Sequence, residues 1–388
     1  MDFGEVCKKY EEYVIEMRRG FHRHPELSKK ESRTSETVRK ELQRMGIPYV
    51  TVDGYNVIGT VGKGTSGKTL AIRADMDALM VTEKTDLPFK SENEGVMHAC
   101  GHDGHTAMLL GAAAVLKEYE GEIDGSVKLC FQTAEEENSG AQQIVAYLKE
   151  NGGVDQAIGL HIWPNVPVGQ IVLMPDRCMA GCIGYHVDLL GEGGHGSRPD
   201  LVKDPVKAAC DLVLKFASIP GNYYDITDPC VVSTGYVNAG TYSNVFPSSA
   251  YIEGSCRYFK VGGEVQIIEK MQMMVDGVSK AYGVEGNMSI WPPYSPVVNT
   301  PELVGKAGKT VDEVEGLEVK KTADLIMASE NFSEFLKEFP GFFAILGGGN
   351  EAAGKCYELH SDKFDFDEAA LRMGYEFMAR YAYEYVKR

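Results

Sequence analysis

"GCIGYHVDLLGEG", residues 181–193, reads as a strand running into a glycine-rich turn, and the rhythm of the chain changes there. Upstream, strands alternate with helices. Residues 5–20 and 29–45 read as amphipathic helices, the second ending at Gly46. "YNVIGTVG" and "KTLAIRADMD" follow as two strands around a glycine-rich turn, then a helix over 106–119. "SVKLCFQTAEEE" is a strand running into acidic residues, "GAQQIVAYLKENG" a helix, and "QAIGLHIWP" a short buried strand with His161 at its end. That alternation implies an α/β sandwich with a mainly parallel sheet between helices. Downstream of residue 180 the order becomes strand, helix at 204–218, strands at 229–237 and 248–259, helix at 262–282, strand at 285–292. This βαββαβ order is the ferredoxin-like unit. From about residue 295 the first rhythm resumes. The expected fold is a larger α/β domain, residues 1–179 and 294–388, interrupted by an inserted ferredoxin-like domain, residues 180–293.

The length of 388 residues suits two domains at roughly 150 residues each. The formal net charge of −17 argues against a nucleic-acid partner, which would need a basic face, and against docking on anionic lipid. The first 26 residues are charged throughout, without the apolar centre of a signal peptide, and no apolar run approaches the ~18 residues of a membrane span. Nine cysteines, an odd number without CxxC pairs, fit reduced thiols in the cytoplasm better than a disulfide framework.

Two motifs match nucleotide-binding patterns and are set aside. "GKGTSGKT" at 62–69 has the Walker A letters, but strand residues follow where a phosphate-binding helix is required, so it reads as a hairpin turn. "GEGGHG" at 191–196 matches GxGxxG, but Pro199 and Pro205 interrupt the helix a dinucleotide site needs.

The chemistry concentrates in "MHACGHDGHT", residues 97–106. Cys100 and His102 are two apart, which on an extended backbone projects both to one side. Thiolate and imidazole are common ligands of zinc and related ions. Alone, this stretch leaves open a metal site and a polar turn capping the next helix. A thiol nucleophile finds no cysteine-hydrolase signature elsewhere. In "FQTAEEENSGA" a strand delivers Glu135, Glu136 and Glu137; adjacent side chains diverge, so one carboxylate can bind metal while its neighbour faces a water. A solvated acidic loop is the plainer alternative. His161 closes an apolar strand and His360 lies in "YELHSDKFDFDE"; each alone is ordinarily a satisfied core residue. All four elements fall at strand ends or loops of one expected domain, where open α/β sheets form their sites.

The segments "FHRHPELSKKESRTS", "RADMDAL", "MHACGHDGHTAMLLGAA", "FQTAEEENSGA", "GLHIWP", "GGHGSRP", "SNVFP", "MASENFS" and "ELHS" occur in that order over nearly the whole chain. In this set the chain resembles the zinc-aminopeptidase-like metallohydrolases, in the branch of aminoacylases, hippurate hydrolases and auxin-conjugate amidohydrolases. The resemblance implies two divalent ions per chain, held by Cys100, His102, Glu136, His161 and His360, with the Cys100 sulfur bridging. It implies Glu135 as general base and Asp77 as the acid that orients a ligand. His195 would donate to the oxyanion in a partner subunit's active site, and Asn244 and Arg257 would bind the substrate carboxylate. Three positions depart from the family pattern: Met80 and Thr133 where proline is common, and Asn331 where aspartate is frequent. They bear on substrate preference and remove no implied ligand.

The expected function is a metal-dependent amidohydrolase that cleaves N-acyl amino acids to a carboxylic acid and a free amino acid. Zinc is favoured by Cys100, and the resemblance admits manganese, cobalt or nickel. The expected assembly is a homodimer through the inserted domain, without nucleic-acid or membrane partners. The alternatives are a metallo-dipeptidase or carboxypeptidase on the same scaffold, and a non-catalytic protein that binds amino-acid conjugates, against which the retained Glu135 argues.

Overall fold

A computed structural model describes residues 2–65, 67–321 and 324–388. The chain folds as two compact units. One comprises Met1–Cys178, Val298–Asp324 and Asn331–Arg388; the other comprises Met179–Val297 and Leu325–Glu330.

The first unit is built on an eight-stranded sheet. Its centre is four mutually parallel strands in the order Ser126–Gln132, Thr69–Asp75, Gln156–Pro167 and Gly341–Gly349. Antiparallel strands Asn56–Val61 and Tyr49–Val52 close one edge. At the other, Gln170–Val172 runs antiparallel to Gly341–Gly349 and pairs in parallel with Glu318–Val319. Every residue of Gly341–Gly349 is buried, as are all but the first of Thr69–Asp75. Strands buried on both faces are those of a parallel sheet covered by helices.

The helix His102–Glu118 is buried from His102 through Leu116. Its sequence, apolar on every side after Thr106, dictates a central position. The helices Glu11–Arg23 and Ala369–Val386 come so close to it that a Cβ on Gly111 would stand 2.6 Å from Val14 Cγ2 and 3.0 Å from Tyr375 Cγ.

Two sequence readings change in detail. The amphipathic segment expected at 5–20 is two helices, Phe3–Lys9 and Glu11–Arg23. The Walker-like turn leads into a strand, not a helix, yet it is not a hairpin: Ser126–Gln132 lies between Asn56–Val61 and Thr69–Asp75 and pairs with both. Turn residues announce a reversal but not its pairing partner, and here a strand from later in the chain takes the place between the two. Ser66, inside that turn, lies outside the described residues.

The second unit carries a four-stranded antiparallel sheet in the order Cys230–Ala239, Ser249–Tyr258, Gly181–Leu190, Glu285–Ile290. With the helices Pro205–Ala217 and Gly263–Tyr282 it has the βαββαβ order. Alternate residues Ile183, Tyr185, Val187 and Leu189 are buried and cluster with Leu212 and Phe216 of one helix and Ile267, Met271 and Val275 of the other. Period two on the strand meets period 3.6 on the helices. Asp204 caps the first helix by accepting from the N–H groups of Val206 at 3.0 Å and Lys207 at 3.4 Å. Pro205 opens that helix rather than interrupting it, since the first helical N–H needs no partner. Among the described residues no helix is long and apolar enough to cross a membrane.

The close approach at Gly111 yields a test of the packing. Gly111→Leu is expected to destabilise the first unit by about 1–3 kcal/mol, the usual cost of overpacking. Urea unfolding should show a lower midpoint with an unchanged slope; an unchanged midpoint would contradict this helix packing.

Candidate active site

The strand Thr69–Asp75 ends in one buried carboxylate, Asp75, and a second, Asp77, follows two residues later. Buried carboxylates require partners. Asp75 accepts from His105 Nδ1 and from Arg73 Nη1, each at 2.6 Å. Asp77 Oδ1 lies 3.1 Å from His102 Nδ1, while its Oδ2 accepts from the Ser28 hydroxyl at 2.7 Å and the Glu136 N–H at 3.1 Å.

Cys100 and His102 meet by a turn rather than by the extended chain expected. Gly101 has φ of 89°, a left-handed value that glycine adopts without steric cost, and the helix begins at His102 instead of 106. His102 and His105 therefore share the first helical turn.

The hydrogen bonds settle which ring nitrogens are available. His102 Nδ1 also faces the Asp77 carbonyl oxygen at 2.9 Å. A carbonyl only accepts, so Nδ1 carries a proton and Nε2 is the atom left to bind. His102 Nε2 is buried without a hydrogen-bond partner, as is Glu136 Oε1, 4.0 Å away. His161 repeats the arrangement: Nδ1 faces the Ile162 carbonyl at 2.7 Å, and Nε2 lies 3.4 Å from Cys100 Sγ. His360, on a more exposed loop, brings Nε2 to 3.3 Å from Glu136 Oε1. Donor atoms within 4.8 Å of one another form the groups Cys100–His102–His161, Cys100–Glu136–His360 and His102–Glu135–Glu136. Nitrogen, sulfur and oxygen donors converging on one another, two of their atoms without a hydrogen-bond partner, fit divalent cations. Asp75, His102 and His105 also lie close together, but His105 is already engaged: Nδ1 by Asp75, and Nε2 by the Ile162 N–H at 2.9 Å.

His161 is inside its strand, which runs on to Pro167, rather than at its end. Pairing with Thr69–Asp75 stops at Arg73 opposite Gly159, so the register carries His161 level with Asp75. The three glutamates follow the strand Ser126–Gln132 in a turn where Ala134 and Asn138 have φ of 54° and 50°. Glu136 faces the histidines. Glu135, 7% exposed, accepts the Asn331 N–H at 3.0 Å, and Glu137 pairs with Lys29 at the surface, 2.8 Å away.

The electrostatics follow from burial and crowding. Burial and Glu136 push the Cys100 thiol well above its usual pKa. Burial opposes charge on His102, but Asp75, Cys100 and Asp77 outweigh it and raise its pKa well above the ordinary value. Burial and the neighbouring His105 hold His161 well below it, in the neutral form a metal requires. The field that favours a proton on His102 favours a divalent cation in its place.

Three of the residues singled out in the sequence belong to the second unit. His195 is exposed, on the short strand Gly194–His195 paired with Val245–Phe246, and its Nδ1 lies 2.9 Å from Ser197 Oγ. The Gly196 N–H donates to the Asn244 carbonyl at 2.7 Å, so Asn244 flanks the same turn. Arg257 Nη1 donates to Ser329 Oγ at 2.6 Å; Ser329 comes from the segment Leu325–Glu330.

Sequence reasoning left Asp75 and His105 without roles, although "RADMD" and "HDGH" each carry a second polar residue beside the one chosen. It also missed Arg18, buried at 1% exposure, which donates to Asp103 at 2.9 Å and Asp365 at 2.7 Å between the rings of Phe89 and Phe366. Burial would raise the Asp103 carboxyl, but Arg18 and His22 hold it far below the usual range. This network anchors the helix turn that carries His102.

A two-unit α/β fold with a buried Cys–His–Glu donor cluster at the ends of parallel strands is the architecture of a metallohydrolase. The sequence model of Peptidase family M20/M25/M40 matches residues 71–384, and the chain belongs to that family. It is 35% identical over 383 residues to thermostable carboxypeptidase 1 of Saccharolobus solfataricus, covering 96% of each chain. It is 33% identical over 378 residues to N-acetylcysteine deacetylase of Bacillus subtilis, covering 97% of each. Among solved structures, a dinuclear metal-binding peptidase of the M20 family from Bacillus subtilis superposes with a TM-score of 0.84 at 31% identity, covering 98% of this chain and 99% of that one.

The pairing of Asp75 with Arg73 is testable apart from activity. Asp75→Ala removes the carboxylate that accepts from both the buried Arg73 guanidinium and His105, and the expected loss is about 3–5 kcal/mol, the usual cost of breaking a buried ion pair from one side. Burial would raise the Asp75 pKa, yet Arg73, His102 and His105 lower it well below the aspartate value. Its contribution is therefore full above about pH 4, the unfolded value, and fades as pH falls through the folded one. Urea unfolding at pH 7 should separate the two proteins widely, and the gap should narrow in acid; equal stability at pH 7 would contradict the pairing.

Proposed function

We propose that this protein is a metal-dependent amidohydrolase cleaving the amide bond of N-acyl amino acids to a carboxylic acid and a free amino acid. The observation that carries the reading is the pair of buried ligand atoms without a hydrogen-bond partner, His102 Nε2 and Glu136 Oε1, with a second carboxylate, Glu135, next to Glu136 in sequence but differently held. The names of relatives that act on N-acetylated amino acids support the substrate class.

Cys100, His102, Glu136, His161 and His360 would hold two divalent ions, with Asp77 fixing the His102 ring through Nδ1. Ions held there would acidify a water and polarise the acyl carbonyl. Glu135 accepts the proton of the attacking water. The Asn331 N–H occupies its Oε1 and fixes its orientation. When the C–N bond breaks, Glu135 delivers that proton to the departing amine nitrogen, so one carboxylate serves both transfers. His195 donates to the oxyanion across a homodimer formed by the second unit, and Asn244 and Arg257 receive the substrate carboxylate, Arg257 by its bidentate guanidinium. The Cys100 thiolate favours zinc over manganese, cobalt or nickel. Nine free cysteines suit a reducing cytoplasm.

The relative named a carboxypeptidase favours one second reading, cleavage between two amino acids. Both reactions cut an amide on the amino side of a residue with a free carboxylate. Comparing turnover of acetyl- and benzoyl-amino acids with that of unblocked dipeptides separates them. The proposal expects the blocked substrates to be cleaved faster. Preference for free dipeptides would move the assignment to the peptidase.

Glu135→Gln should retain metal and lose at least ~10²–10⁴-fold in kcat, since an amide cannot take the proton. Glu136→Gln, Cys100→Ala and His102→Ala should lose metal as well, measured by inductively coupled plasma mass spectrometry against about two ions in the parent. Metal loss confined to Glu135→Gln would reverse the two glutamates' roles.

His195→Ala should lower kcat by about 10²–10³-fold with little change in KM, as expected for a donor that acts mainly in the transition state. A normal kcat would remove His195 from the mechanism.

A further inference from the structure

The turn that delivers Glu135 and Glu136 begins at Ala134, whose φ of 54° lies in the left-handed region. There an L side chain crowds its own backbone, and glycine is the usual occupant. Ala134 keeps this conformation under side-chain control from three directions. Just before it, Asn56 Oδ1 accepts both the N–H and the hydroxyl of Thr133, at 2.8 and 3.0 Å. Just after it, Asp77 Oδ2 accepts the Glu136 N–H at 3.1 Å. Between them, the Ala134 N–H donates to Glu31 Oε1 at 2.7 Å. Glu31 is fully buried at the start of the helix Ser32–Arg44. A carboxyl is expensive to bury, and this one has no cation among its hydrogen-bond partners.

We propose that Glu31 is a positioning residue that holds Ala134 in its left-handed turn and so aims Glu135 and Glu136 in their two different directions. The inference rests on the reading of Glu135 as base and Glu136 as ligand. What the site asks of Glu31 is an acceptor, not a charge. Its other oxygen, Oε2, is buried without a hydrogen-bond partner. Burial and the nearby Asp77 push its carboxyl up to about 7, and either protonation state leaves an acceptor for the Ala134 N–H.

Three variants of the full chain test this: Glu31→Ala, Glu31→Gln and the double variant Glu31→Ala/Ala134→Gly. Two readouts are used, kcat and KM on an N-acetyl amino acid, and zinc affinity by competition with a chromophoric chelator. Glu31→Ala should lose ~10–100-fold in kcat and in zinc affinity, the range for groups that orient ligands, with KM little changed. Glu31→Gln keeps a carbonyl oxygen for the same N–H and should restore most of both. Ala134→Gly, which enters the turn unaided, should recover part of the loss in the double variant, in folded yield if Glu31→Ala folds poorly and in kcat and zinc affinity if it folds. A double variant no better than Glu31→Ala in any of these overturns the proposal, and so does Glu31→Gln as damaged as Glu31→Ala. Wild-type kcat and zinc affinity in Glu31→Ala, beside inactive Glu135→Gln and Glu136→Gln controls, overturns it while leaving the amidohydrolase reading intact. Full activity in those two controls would instead overturn the underlying reading, and this inference with it.

Discussion

Two carboxylates buried at the end of one parallel strand organise the first unit. Asp75 and Asp77 leave the strand Thr69–Asp75 with almost no exposure, and neither can stay ionised there alone. Their needs are met by groups from distant parts of the sequence: Arg73 and His105 for Asp75; His102, Ser28 and the Glu136 N–H for Asp77. Satisfying the two aspartates fixes the helix His102–Glu118 in rotation and ties the glutamate turn to the strand end. The proton placed on His102 Nδ1 is the one that leaves Nε2 free, so the electrostatics of the second layer determine which atoms face inward.

The donors themselves are arranged with the opposite logic. Cys100, His102, Glu136 and His161 crowd together with few hydrogen bonds of their own, and two of their atoms, His102 Nε2 and Glu136 Oε1, are buried without a hydrogen-bond partner. Low-dielectric surroundings make such a set costly unless a cation completes it. A supporting layer tied together by hydrogen bonds and ion pairs surrounds an inner set that has few. The Arg18–Asp103–His22 network belongs to the bonded layer, although it adjoins His102 in sequence.

Much of this was legible in the sequence, because the decisive elements are local. The βαββαβ order, the helix after "CGHDGH" and the strand into "AEEE" follow from patterns of fewer than about twenty residues. What escaped depends on pairing or on single dihedral angles. The strand Ser126–Gln132 inserts between Asn56–Val61 and Thr69–Asp75, which no turn signal encodes. His161 sits mid-strand because its neighbour ends first. Left-handed Gly101 converts an expected extended segment into a helix start, and left-handed Ala134 is an unusual choice of residue in a turn bonded by Asn56, Glu31 and Asp77. Asp75 and His105 were in plain view, but their mutual bond is a tertiary fact.

If Cys100, His102, Glu136, His161 and His360 hold divalent ions together, sulfur belongs to the coordination sphere of a bound ion. X-ray absorption spectroscopy of the zinc-loaded chain tests it most directly. A sulfur scatterer is expected in the zinc coordination sphere together with imidazole nitrogens, with the sulfur contribution lost in Cys100→Ser. A sphere of oxygen and nitrogen alone in the unaltered protein, unchanged by that substitution, would contradict it.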